Sequence, residues 1–204
     1  MARLIGRDSE LAALSRGLTD ARRGRSGLAV CAGATGTGKS TLVSTLIADA
    51  DNVAMRVRWA SGLDSPEPPP YWILRQVLAG DAEPWDGDGG ELARLLTELG
   101  ADSGILVVVE DIQWADEPSL GILAELLRAG TGRFLVCATL REPDAEPSAG
   151  WLARGDELLG APLLEQRRRP LCVGQAGPGL DGRRDPLLVV VGHPGCAGVQ
   201  QPDG

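Results

Sequence analysis

The chain has 204 residues, 43% of them apolar, which is enough for one domain, or one domain and a tail, with a core that needs no disulfide or metal. A net charge of −8 excludes broad contact with a nucleic-acid backbone, which demands clustered positive charge, so no DNA contact is expected. The N-terminal MARLIGRDSE has no apolar segment, and no stretch reaches the roughly 18 consecutive apolar residues of a membrane span. No membrane partner and a cytoplasmic location are therefore expected.

In chain order, Asp8 or Ser9 is placed to cap a helix over 8–23, with Leu11, Leu14, Leu18 and Ala21 as its apolar stripe. LAVCA at 28–32 is a short, continuous apolar run, as in a parallel strand buried on both faces. A glycine-rich loop follows. A helix over 38–49 then turns Leu42, Leu46 and Ile47 inward. Alternation over 53–60 predicts a second strand, and SPEPPP at 65–70 blocks regular structure. Helices are predicted over 71–78 and 91–99, the latter on Leu92, Leu95, Leu96 and Leu99, with a loop over 81–90. ILVVVEDI at 105–112 is the strongest strand signal, followed by a helix over 117–129 and a strand over 133–140. Strands alternating with helices imply a parallel sheet covered on both faces.

Beyond residue 165 the character changes, with 8 Gly and 5 Pro in the 39 residues from 166 to 204. That composition favours a disordered tail over a packed domain. PLLVVVG at 186–192 is the exception within it and is suited to a further strand. Cys31 and Cys137 sit in apolar runs and read as reduced, buried thiols. His193 and Cys196 are close together but lack two further ligands at metal-site spacing, and Arg167, Arg168 and Arg169 form only a short basic run.

The stretch Gly33-Ala34-Thr35-Gly36-Thr37-Gly38-Lys39-Ser40 fits G-x-x-x-x-G-K-[ST] at every fixed position, with Thr41 next. The glycines let successive backbone N–H groups turn toward one anion, and the helix that follows adds free N–H donors. Lys39 supplies a compact cation for the β- and γ-phosphates, and Ser40 a hydroxyl for Mg²⁺. Lys39 is also the one lysine of the chain; every other basic side chain is arginine, whose planar fork is not interchangeable with an ammonium.

A triphosphate-bound metal needs an acidic partner. Glu110 and Asp111 close the apolar run at 105–109, at the strand end where open parallel sheets bind ligands. One carboxylate would hold Mg²⁺ through water and the other orient the attacking water, with either assignment open. Thr139 and Arg141 end the next strand, where they would sense a γ-phosphate or stand as a polar strand end and a solvated loop arginine. The guanine-specifying N-K-x-D pattern is missing, because it needs a second lysine. That favours adenine.

Together LIGRDSEL, GATGTGKST, VVVEDIQWADEPSL and ATLREPD resemble the ATPase module of AAA-like, STAND-type signalling ATPases, often fused to a LuxR-type DNA-binding domain. The likeness spans residues 3–165. It implies an α/β P-loop NTPase three-layer sandwich with a mostly parallel sheet in the order 5-1-4-3-2, spanning 1–165, followed by the low-complexity tail 166–204. It implies ATP and Mg²⁺ as ligands, Gly6 and Arg7 near the adenine, Arg141 in the sensor position of T-x-R, and a homo-oligomer or a regulatory protein as partner. The helical lid that the family carries next is not recognisable in this tail. A non-catalytic fragment and a P-loop small-molecule kinase are the alternative readings; the WAD triplet and the early GR-x-x-E-L speak against the kinase.

Overall fold

The computed structural model describes residues 7–33, 35–80, 89–129, 132–141 and 187–191. In chain order these form α1 (Asp8–Arg22), β1 (Gly27–Gly33), α2 (Lys39–Asn52), β2 (Arg56–Ser61), α3 (Trp72–Val77), α4 (Gly89–Leu99) and β3 (Ile105–Glu110). A single 3-10 turn (Ile112–Trp114) follows, then α5 (Glu117–Ala129), β4 (Phe134–Arg141) and β5 (Leu187–Val191).

The strands form one sheet in the order β2-β3-β4-β1-β5, every pair parallel. Read from its other edge this is the predicted 5-1-4-3-2, and the fold is the expected α/β sandwich, a parallel sheet between two layers of helices. The run singled out at 186–192 supplies β5, pairing with β1 from Gly27↔Leu187 to Cys31↔Val191. The basic run at 167–169, His193 and Cys196 lie outside the described residues.

Strand periodicity sorts the core into two layers. Leu28, Val30 and Ala32 of β1 pack with Ile105, Val107, Val109, Phe134, Val136, Ala138 and Leu140 against α3, α4 and α5. Ala29 and Cys31 pack with Leu106, Val108, Leu135 and Cys137 against α1 and α2. Leu42, Val43 and Leu46 are each 1% exposed, so the first two turns of α2 are fixed to the sheet. Burying each such side chain contributes about 1.5–3 kcal/mol. The loop between β1 and α2 thus hangs between two rigid supports.

Several element ends differ from the sequence reading. The second strand starts at Arg56 rather than 53, because α2 continues to Asn52 and Ala54 turns left-handed at φ 57°. The third strand ends at Glu110 rather than 112, because Asp111 is left-handed at φ 48° and begins the 3-10 turn. Neither Asp8 nor Ser9 caps α1. Arg7 precedes the helix with no side-chain cap, while Asp8 and Glu10 lie in the first turn, where the helix dipole favours negative charge.

Candidate functional site

The loop after β1 is shaped by its glycines. Gly33 has φ 152°, and a Cβ there would lie 2.9 Å from the Thr37 Oγ1. Gly36 (φ 81°) and Gly38 (φ 85°) are left-handed, a conformation that side chains with a Cβ rarely adopt. Gly38 is the residue from which α2 springs, and its carbonyl accepts the first helical bond from Leu42 N–H at 3.1 Å. The Lys39 ammonium folds back over the loop and donates to the Gly33 carbonyl at 2.8 Å. Ser40 is exposed on the first turn of α2, and no hydrogen bond is made by its hydroxyl among the described residues. This concave backbone with an ammonium above it suits a phosphate chain, and an open hydroxyl beside it suits a hard cation. Ala34 and Gly6 lie outside the described residues; Thr35 is exposed and Thr41 half-buried.

Arg7 is anchored to this loop. Its guanidinium donates to the Thr37 carbonyl at 3.1 Å and pairs with Glu10 at 3.4 Å. The residue expected near an adenine therefore fastens the start of α1 to the crest of the phosphate loop.

The acids arrive from β3. Glu110 keeps the parity of Leu106 and Val108, and Thr139 and Arg141 keep that of Leu135 and Cys137, so all three belong to the face that α2 covers. Register sets Arg141 level with Gly33 on the neighbouring strand. The Glu110 carboxylate has no hydrogen bond or ion pair among the described residues. Asp111 is held from several sides. Its N–H donates to the Thr139 hydroxyl at 3.0 Å, and Arg141 pairs with its Oδ2 at 3.1 Å. Gln113 Nε2 donates to its Oδ1 at 3.2 Å. Its carbonyl accepts Trp114 N–H at 2.9 Å.

Two residues here escaped the sequence reading as actors. Gln113 bridges Asp111 to β4, since its Oε1 accepts the Arg141 N–H at 3.3 Å. Asp116 is 2% exposed and accepts the N–H groups of Tyr71 (2.7 Å), Ile73 (3.0 Å) and Ser119 (2.9 Å), so one carboxylate caps both α3 and α5. An acid directly before a predicted helix was the legible signal for its role at α5; nothing in the sequence pointed to α3.

Behind the loop, Cys31 and Cys137 are free, buried thiols, as expected. A hydrogen bond from Cys137 holds the Cys31 thiol below its ordinary value, against the effect of burial and with help from the Arg7 and Lys39 charges. Donating that bond pushes Cys137 well above its ordinary value, and burial and the neighbouring Cys31 push the same way.

With this geometry in view, residues 3–83 match the family model of the AAA ATPase domain. The matched stretch holds α1, the phosphate loop, α2, β2 and α3. No curated protein matches the chain. Among solved structures, the chain is similar to the Aeropyrum pernix ORC1 protein in complex with DNA, at 19% identity and TM-score 0.47, over 76% of this chain and 49% of that one. It is similar to Drosophila ORC bound to DNA at 13% identity and TM-score 0.46, over 66% and 78% of the two chains. It is also similar to a Thermotoga maritima RuvB variant at 18% identity and TM-score 0.41, over 71% and 41%. The chain thus spans about half the length of the Aeropyrum protein and less of the RuvB variant. Among the described residues no helix is long and apolar enough to cross a membrane.

Proposed function

We propose that this chain binds Mg-ATP in the loop between β1 and α2 and hydrolyses it slowly, as the switch module of a cytoplasmic signalling or transcription-regulatory ATPase of the STAND and LuxR-associated kind. The observation that carries this reading is the loop itself: left-handed Gly36 and Gly38, and a lysine ammonium folded over the backbone that must receive phosphate. In this reading Gly33, Ala34, Thr35, Gly36, Thr37, Gly38 and Lys39 cradle the phosphates. Ser40 and Thr41 open the helix beneath them. Arg7, with Gly6 before it, braces the loop from the nucleotide side.

The metal, when bound, neutralises charge on the β- and γ-oxygens. Ser40 and Glu110 suit its shell, since both offer oxygens free of partners among the described residues and Glu110 belongs to the face that α2 covers. Asp111, tied to Arg141 and Gln113, is better suited to orienting the attacking water, with Arg141 answering the terminal phosphate. The partner expected for such a switch is a regulatory protein or another copy of the chain.

The test is Lys39→Ala. Calorimetry should show ATP binding by the wild-type chain in Mg²⁺ and none by the variant, with phosphate release without an acceptor in the wild type alone. Equal ATP affinity in the two proteins would sink the reading.

A further inference from the structure

We infer that Gln113 is the positioning residue of this site, holding Asp111 and Arg141 in the arrangement that recognises a terminal phosphate. The inference rests on the nucleotide reading above and adds to it a residue that touches neither phosphate nor metal.

The side-chain amide of Gln113 has one donating and one accepting end, and both are used. Nε2 donates to Asp111 Oδ1 at 3.2 Å, and Oε1 accepts the Arg141 N–H at 3.3 Å. Only one orientation of the amide satisfies both neighbours, since a carboxylate accepts and a backbone N–H donates. The bridge therefore fixes two things together, the rotation of the Asp111 carboxylate and the point where Arg141 leaves β4. Arg141 closes the circuit by pairing with the other Asp111 oxygen at 3.1 Å. A three-residue ring, 111–113–141, results, and Gly33 lies level with one of its members.

The backbone explains why such a ring is needed. Asp111 is left-handed at φ 48°, ψ 54°, a region in which non-glycine residues persist when their surroundings over-determine them. The Thr139 hydroxyl fixes its N–H and Trp114 its carbonyl, which leaves the carboxylate to be aimed by Gln113 and Arg141. An incoming γ-phosphate competes with Asp111 for the Arg141 guanidinium. As Arg141 turns toward phosphate, Gln113 keeps both the Asp111 carboxylate and the Arg141 backbone in place. A ligand ending at the β-phosphate makes no such demand.

The experiment measures affinity for a non-hydrolysable Mg-ATP analogue and for Mg-ADP in wild type, Gln113→Leu, Gln113→Glu and Lys39→Ala. Gln113→Glu keeps shape and packing but turns an oxygen toward Asp111; Gln113→Leu removes both bonds. Both variants should bind the ATP analogue about tenfold more weakly, the scale seen when a supporting hydrogen bond behind a ligand site is lost, and ADP within about twofold of wild type. In an Asp111→Ala background, adding Gln113→Leu should cost clearly less than the tenfold it costs alone, because part of what Gln113 does passes through that carboxylate and the rest through the Arg141 backbone. Equal losses for both nucleotides, no loss for either, or full additivity with Asp111→Ala would each overturn the inference. A wild-type chain that binds neither nucleotide, as Lys39→Ala should, would overturn the nucleotide reading and this inference with it.

Discussion

The Asp116 carboxylate accepts the backbone N–H of Tyr71 at 2.7 Å across 45 positions of the chain. It thereby joins the start of α3 to the start of α5. Ile73 and Ser119 donate to the same side chain, and Leu74 N–H donates to the Ser119 hydroxyl at 3.3 Å. Helix α3 has six residues and is too short to hold its own first turn, so this external cap is what orders it. Asp116→Ala leaves buried N–H groups without an acceptor and should lower stability by about 2–4 kcal/mol. Urea unfolding of the two proteins measures this, and a loss under about 1 kcal/mol would mean that water replaces the carboxylate.

Gly62 follows β2 and passes directly against the residues after β3. A Cβ there would lie 2.4 Å from the Asp111 carbonyl oxygen and 2.8 Å from the Trp114 Cβ. These atoms cannot step aside as a side-chain tip would, so Gly62→Ala should cost about 3 kcal/mol through overpacking. Gly121 is the converse case, inside α5 with nothing within 4 Å of a built Cβ. Gly121→Ala should stabilise the protein by about 0.5–1 kcal/mol through helix propensity. Thermal unfolding should move the two melting temperatures in opposite directions.

Arg141 and Asp111 form an ion pair whose side chains are 57% and 30% exposed. Solvent screens such a pair, so Arg141→Ala should change stability by less than about 1 kcal/mol. Under the proposed function the same variant weakens ATP binding much more than ADP binding. A large stability loss with unchanged nucleotide affinity would make the pair structural.

The paired thiols give a pH signature. Cys137 is raised above its ordinary value in the folded chain, so its contribution is complete below that value and is lost as pH rises through the folded one. Cys31 is lowered, so its contribution is already complete at high pH and adds no decline there. Wild-type stability should therefore fall above about pH 9 by about 1.4 kcal/mol per unit more than that of a Cys31→Ala, Cys137→Ala double variant. Denaturant titrations at pH 8, 9 and 10 give the two slopes, and parallel slopes would refute the assignment.

The centre of the sheet was legible because its strands are continuous apolar runs, LAVCA and ILVVV above all, the edge strand β2 because it alternates, and the glycine-rich loop because it falls between an apolar run and an amphipathic pattern. What the periodicity missed was local backbone geometry. Residues 111 and 112 extend an apparent strand by composition, yet Asp111 turns left-handed because Thr139 and Arg141 hold it from 28 and 30 residues away and Trp114 and Gln113 hold it from its own turn. Asp116 was readable as a helix-starting acid but not as the cap of a second helix, since nothing near Tyr71 in sequence announces an acceptor. Arg7 was placed near a base by resemblance; its bond to Thr37 depends on how α1 lies over β1, which no local pattern encodes.

Lys39 is the chain's one side-chain amine, and at rest it leans on the Gly33 carbonyl. Acylating reagents that ignore guanidinium groups can therefore label the phosphate loop with no competing lysine anywhere else on the molecule. Mass spectrometry of labelled peptides becomes a direct occupancy gauge, reporting whether the ammonium is available or engaged without any mutation at all.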